Sequence, residues 1–170
     1  MSTTGKTAAD RGKASEDAVQ ALLSSISTKN CFDFERNYDA RSSQGHSYAR
    51  RCGDFTWYLK VLGRSLHGVL EVKETEADAR LPYSNMEAHQ VGKLLLRSGA
   101  GGSALVLIHH SKIDRWRCVP ISFFEQREGR GSWKLDSWET YAKLEHTPVM
   151  HYLLTAAKTG NEPFPHFLIM

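Results

Sequence analysis

Cysteine is scarce in this chain of 170 residues: Cys31, Cys52 and Cys118 are an odd number, widely spaced, with no Cys-x-x-Cys pair. That excludes a disulfide-stapled scaffold and a structural thiolate zinc site, and it points to reduced thiols in a cytosol. Long apolar runs are lacking too. Nothing approaches the ~20 residues that cross a bilayer, and no early segment has the basic-then-apolar character of a secretion signal. The expectation is a protein that stays in the cytoplasm where it is made, without a membrane partner. Neither sign of charge dominates, since 22 Lys and Arg face 19 Asp and Glu for a net +3. Such a balance permits nucleic-acid binding but does not demand it. Internal repeats and dividing linkers are also missing, and the length suits one domain with one core. With 41% hydrophobic and 24% charged residues, the composition is globular.

Periodicity supplies the elements. Residues Met1 to Asp10 are small and polar and read as a loose tail, leaving 11–170 as a single domain. From Ala14 to Ser27, Ala18, Val19, Leu22, Leu23 and Ile26 recur at helical spacing, and Glu16 falls in line with that apolar stripe. Cys31 to Arg36 is a short strand, and the polar stretch Asn37 to Gly53 reads as a loop, with a possible DNA-binding arm around 41–51. Asp54 to Lys60 alternates, with Phe55, Trp57 and Leu59 on one face. After a turn at Gly63, His67 to Lys73 puts Leu70 and Val72 on one face and Val69, Glu71 and Lys73 on the other. The two runs read as a hairpin. A helix over Ser84 to Ser98 presents Ala88, Val91, Leu94 and Leu95, and ends at Gly99, Gly101 and Gly102. Ser103 to His109 has the near-continuous apolar character of a sheet centre. Arg115 to Val119 is a further strand, Pro120 opens a helical turn, and Thr147 to Lys158 is a last helix before a packed aromatic tail. This order gives an α/β domain with a mixed central sheet flanked by helices.

The chemical signal is Asp54 followed by Glu71-Val72-Lys73. Positions two apart on a strand share a face, so Glu71 and Lys73 project together, and antiparallel pairing brings Asp54 to Glu71. Converging carboxylates repel and resist burial without a counter-ion. Mg2+, with oxygen ligands at about 2.0–2.1 Å, supplies one, and Mn2+ is expected to substitute. Glu16 is a third candidate ligand or an orienter of water. Such a set suits phosphodiester hydrolysis. Lys73 is assigned to stabilising charge on the phosphorus centre, because two adjacent carboxylates oppose the lowered pKa a general base would need. An incidental Glu-x-Lys ion pair on an exposed edge strand is the competing explanation.

These residues resemble a known family. Leu70-Glu71-Val72-Lys73-Glu74-Thr75 is similar to a motif of the RecU-type Holliday-junction resolvases, within the PD-(D/E)XK nuclease superfamily. Arg11-Gly12 with Glu16 resembles that family's opening helix, Leu81-Pro82 with His89-Gln90 its next helix, and Ser103 to His109 its apolar strand. The likeness spans roughly residues 11 to 110. It implies a restriction-endonuclease-like fold and an enzyme that nicks four-way DNA junctions as a homodimer, in a bacterial or phage-infected cytoplasm. It also implies catalytic roles for Asp54, Glu71 and Lys73, with Glu16 supporting the metal and Gln90 contacting the site. Gly53 stands where the superfamily often has proline, which is expected to be a mild backbone change. Arg41 to Arg51 is a short counterpart of the family's basic stalk.

Arg11, Lys13, Arg36, Arg41, Arg50 and Arg51 are the expected phosphate contacts, which position a backbone without reading bases. His110 is expected to be a packed histidine. A nuclease of the same superfamily acting on duplex, mismatches or ends, and a DNA-binding protein with a degenerate site, remain the alternatives.

Overall fold

A computed structural model describes residues 7–27, 31–37, 52–127 and 131–159. The tail at 1–6, the 41–51 arm and the last residues from 160 onward lie outside the described residues. Five strands form the main sheet in the order β1-β2-β3-β5-β6: β1 (Phe32–Arg36), β2 (Phe55–Val61), β3 (Arg64–Thr75), β5 (Ser103–His110) and β6 (Arg115–Pro120). β3 and β5 run parallel and the other pairs are antiparallel. The crossover between β3 and β5 carries β4 (Arg80–Pro82) and α2 (Ala88–Gly99), and β4 pairs with the distant β7 (Ser132–Lys134) as a separate ribbon. The expected mixed sheet flanked by helices is therefore what the chain forms.

Strand alternation divides the core in two. Leu70, Val72, Phe55, Trp57 and Leu59 pack with α1 (Ala8–Ser27) and α3 (Pro148–Thr159), through Val19, Leu23, Val149 and Leu153. Val69, Val106 and Ile108 face the other way, onto Val91 and Leu94 of α2 and onto Met86, Ile121 and Phe124. Each such side chain contributes about 1.5–3 kcal/mol on burial. At the β2–β3 pair a side chain on residue 68 is impossible. A Cβ on Gly68 would lie 2.4 to 2.7 Å from the Trp57 indole across the strands.

Several boundaries differ from the periodic reading. α1 begins at Ala8, so the helix takes up part of the expected tail. Here Thr7 and Asp10 exchange hydrogen bonds that satisfy the first turn. α2 begins at Ala88 rather than Ser84, because Tyr83–Asn85 forms a 3-10 turn and Glu87 and Gln90 build a capping box just after it. Ala88 is consequently exposed at the helix start, and so is Ala18 on α1, while Met86, ahead of α2, is buried. β7 was not foreseen, since three residues are too few to show alternation.

Candidate active site

Antiparallel register assembles the centre. Phe55 pairs with Leu70, so the next step sets Asp54 opposite Glu71. The chain is held there by backbone bonds from Asp54 N to Leu70 O at 2.8 Å and from Asn37 N to Asp54 O at 2.7 Å. The Val72 amide donates to Asp54 Oδ2 at 2.6 Å. Glu71 is 2% exposed, an unusual burial for a carboxylate. Its Oε1 takes the Lys73 ammonium at 2.6 Å and the Gln90 amide at 3.1 Å. Gln90 in turn accepts the Glu87 backbone N–H through its own Oε1 at 3.0 Å, so the capping box also aims its amide group at Glu71.

The charges in this centre are poorly balanced. Burial, then the repulsion of Glu71, raises the Asp54 pKa to about 7, with Glu16 adding to the rise, against the opposing pull of the Val72 amide and Lys73. Burial works to lower the Lys73 pKa, but Glu71, Asp54 and Glu16 outweigh it and hold the ammonium above its ordinary range. Among the described residues, Lys73 is the cation paired directly with Glu71, against two carboxylates that crowd each other. The bonds made among the described residues engage Oδ2 of Asp54 and Oε1 of Glu71 and leave Oδ1 and Oε2 for another partner.

Glu16 sits differently from expectation. α1 covers the opposite face of the sheet from Glu71, and the Glu16 carboxylate is taken by Arg36 at 2.7 Å, with Asp17 also on Arg36 at 2.9 Å. Gln20 completes this contact with Arg36. Among the described residues, no three His, Cys, Asp or Glu side chains gather as a set able to hold a metal ion. The expected three-carboxylate set is therefore not assembled: Asp54 and Glu71 converge, and Glu16 reaches them through its field alone. Two carboxylates still fit Mg2+, which is commonly held by one or two carboxylates together with substrate phosphate and water.

The expected phosphate contacts divide in the same way. Arg11 is engaged with Glu74 at 3.3 Å and Glu76 at 2.6 Å, bracing α1 against the end of β3, and Ser111 also donates to Glu74. Arg36 is only 14% exposed and bound as above. Both arginines are thus held by acidic groups of neighbouring elements, and Arg11 is 27% exposed. Lys13 is exposed. Arg41, Arg50 and Arg51 lie outside the described residues. His110 is fully buried as a neutral ring: Arg117 Nη1 donates to its Nε2 at 2.7 Å, and its Nδ1–H donates to Ala77 O at 2.6 Å. Burial lowers its pKa, in keeping with that packed role. His89 pairs with Glu87 at 3.0 Å on the helix edge.

Two features of the site escaped the sequence reading. Lys93 and Arg97 follow Gln90 at helical spacing along α2, and their charges act, with that of Glu71, on the half-buried Cys52 thiol beside Asp54. The i, i+3, i+7 row was available in the sequence. The other is Gly53, whose φ is +70° and whose absent Cβ would stand 2.1 Å from Val69 Cγ1 and 3.0 Å from Leu70 O. Proline cannot adopt that φ, so glycine here is a requirement of this backbone, and the expectation of a mild change from the resembled pattern does not hold.

No family model matches the sequence, and no curated protein matches it. Among solved structures, the chain is similar to Hjc, a Holliday junction resolvase of the archaeal hyperthermophile Archaeoglobus fulgidus. The identity is 18% and the TM-score 0.47, over 78% of this chain and 93% of that one.

Proposed function

We propose that the chain is a magnesium-dependent endodeoxyribonuclease that nicks four-way DNA junctions, working as a homodimer so that two sites address two strands. The observation that carries the reading is the meeting of the half-buried Asp54, just ahead of β2, with the fully buried Glu71 of β3, the Lys73 ammonium lying 2.6 Å from Glu71. The incidental exposed ion pair is disfavoured by that burial, because an uncompensated carboxylate pair is costly to keep without a cation to bind. Mg2+ held by Asp54 and Glu71 would withdraw charge from the scissile phosphate and lower the pKa of the attacking water.

The chain's own groups do the rest. Lys73 presents a fixed positive charge to the phosphoryl oxygens as negative charge accumulates there. It stays protonated near neutrality, which suits charge stabilisation and not proton abstraction. Gln90 fixes the rotation of the Glu71 carboxyl, and the Val72 amide does the same for Asp54, so both groups are set before substrate arrives. Junction preference, the dimer and a cytoplasmic setting are supported by the ordered motif resemblance from Arg11 to His109. Among the described residues no helix is long and apolar enough to cross a membrane.

The test is cleavage of a synthetic four-way junction beside linear duplex of the same sequence, with Mg2+ and with Ca2+. Paired symmetric nicks in the junction with Mg2+ alone are expected. Equal attack on both substrates would replace the junction reading by a general nuclease of the superfamily. Binding without any cleavage would favour a degenerate DNA-binding protein.

A further inference from the structure

Outside the five-stranded sheet, the β4–β7 ribbon and the 3-10 turn Ile121–Phe124 enclose a cavity of about 390 Å³ that the cleavage chemistry does not use. Its walls are aromatic: Tyr83, Phe123 and Trp133 line it. The rings are set edge to face, with Tyr83 and Trp133 4.5 Å apart at 75° and Phe124 5.2 Å from Trp133 at 79°. The frame is held rigidly. Tyr83 N donates to Gly131 O at 2.9 Å, and Trp133 Nε1 donates to Gln126 O at 3.0 Å. Arg127 lies over both the Tyr83 and Trp133 rings while donating to Met86 O. The remaining lining is polar and exposed, with Glu125, Gln126 and Lys134 all reaching solvent.

We propose that this cavity receives a nucleobase unstacked from the DNA held at the Asp54–Glu71 site, an inference that rests on the nuclease reading above. Three observations converge on that occupant. The half-buried Phe123 ring in the cavity wall can bind any base by its π face beside the Arg127-capped Tyr83 and Trp133 rings, and 390 Å³ is room enough for one small planar molecule. The rim offers both senses of hydrogen bond: the Glu125 carboxylate accepts, the Lys134 ammonium donates, and the Gln126 amide does both. A base edge carries such a mixture of donors and acceptors. An aliphatic side chain would leave the rim groups without partners.

Position supplies the third argument. Tyr83 stands two residues before Asn85, whose amide donates to Glu74 O at 2.9 Å, next to Lys73 in the chain. Chain reach therefore keeps the cavity within about 20 Å of Lys73, at most roughly six base-pair steps along DNA. Bases at a branch or mismatch are the least costly to unstack, so the cavity would favour distorted DNA over regular duplex.

The experiment measures binding of the full chain, with Ca2+ in place of Mg2+, to a four-way junction and to uninterrupted duplex. Wild type is compared with Phe123→Ala and with Gln126→Ala, the second lying on an exposed side chain that the fold does not need. Phe123→Ala is expected to weaken junction binding about 5- to 100-fold, and Gln126→Ala about threefold or more, with duplex affinity within twofold of wild type in both. Equal losses on both DNAs, or none, would overturn the proposal. A cavity made for a protein side chain would give that second result, with junction cleavage by the wild type still intact. A wild type that neither binds nor cuts DNA would overturn the nuclease reading and the cavity together.

Discussion

Replacing Gly53 by proline, the residue common at this place in the resembled superfamily, is expected to damage the centre. The structure allows the cost to be worked in steps. Alanine isolates the steric part. A residue with a Cβ pays about 1–2 kcal/mol in the left-handed region, and Gly53 sits there with φ +70°. The new Cβ would stand 2.1 Å from Val69 Cγ1, a stiff β-branched group, and 3.0 Å from Leu70 O, a carbonyl already bound to Asp54 N. Overpacking of that kind costs about 1–3 kcal/mol. Gly53→Ala should therefore lose about 2–5 kcal/mol, or roughly 4–20 °C in Tm for a domain of this size. Proline adds a fixed φ near −65° to the same clash, so its loss should be larger, and Asp54, the next residue, should lose its place opposite Glu71. Urea denaturation and thermal melting measure the stability, and Mg2+-stimulated cleavage reports on the site. A Gly53→Pro protein that melts within about 2 °C of wild type and cuts as fast would refute the reasoning.

The pH response of Asp54 has a definite sign. Its pKa rises from 3.8 to about 7 on folding, so its favourable contribution is complete below about pH 4 and disappears as pH climbs through 7, an apparent loss of about 4 kcal/mol in metal-free buffer. Asp54→Asn should gain on wild type by about that amount between pH 4 and 8 in urea titrations, and a pH-independent difference would count against the crowded-carboxylate picture. Lys73→Met leaves Glu71 buried without its cation and should cost about 3–5 kcal/mol, most of which Glu71→Gln in the same chain restores; a double-mutant cycle without coupling would contradict the pairing. Gln90→Glu keeps an acceptor for the Glu87 amide, and so the helix cap, but sets a carboxylate against Glu71. Stability should fall by about 1–3 kcal/mol in metal-free buffer while metal-dependent cleavage falls about 10–100-fold, and unaltered cleavage would remove Gln90 from the site.

Much of the fold was legible because its periodicities are strong and local. The alternation of Phe55, Trp57 and Leu59 and the opposite faces of Leu70 and Glu71 announced β2, β3 and their shared site face, and the apolar run at Ser103 announced the sheet centre. Gln90 could be placed on Glu71 only through the motif resemblance, since nothing in the spacing of a surface glutamine indicates its partner. What stayed hidden depends on contacts distant in sequence. β7 exists because β4 offers it an edge, and Ala88 is exposed because the capping box moves the helix start past Met86. Glu16 shared the period of the buried stripe, yet Arg36, brought alongside by β1, takes its carboxylate. Glu74 and Glu76 do the same to Arg11, and no local pattern in the sequence indicates those partners.

The central claim is that Asp54 and Glu71 together make a cation-dependent centre for breaking a phosphodiester. Single-turnover cleavage of a four-way junction with Mg2+, measured for wild type, Asp54→Asn and Glu71→Gln beside their junction affinities in Ca2+, tests it most directly. The expected result is a loss of about a thousandfold or more in rate for each variant, with affinity held within a few-fold of wild type. Cleavage at wild-type rates by either variant would contradict the account.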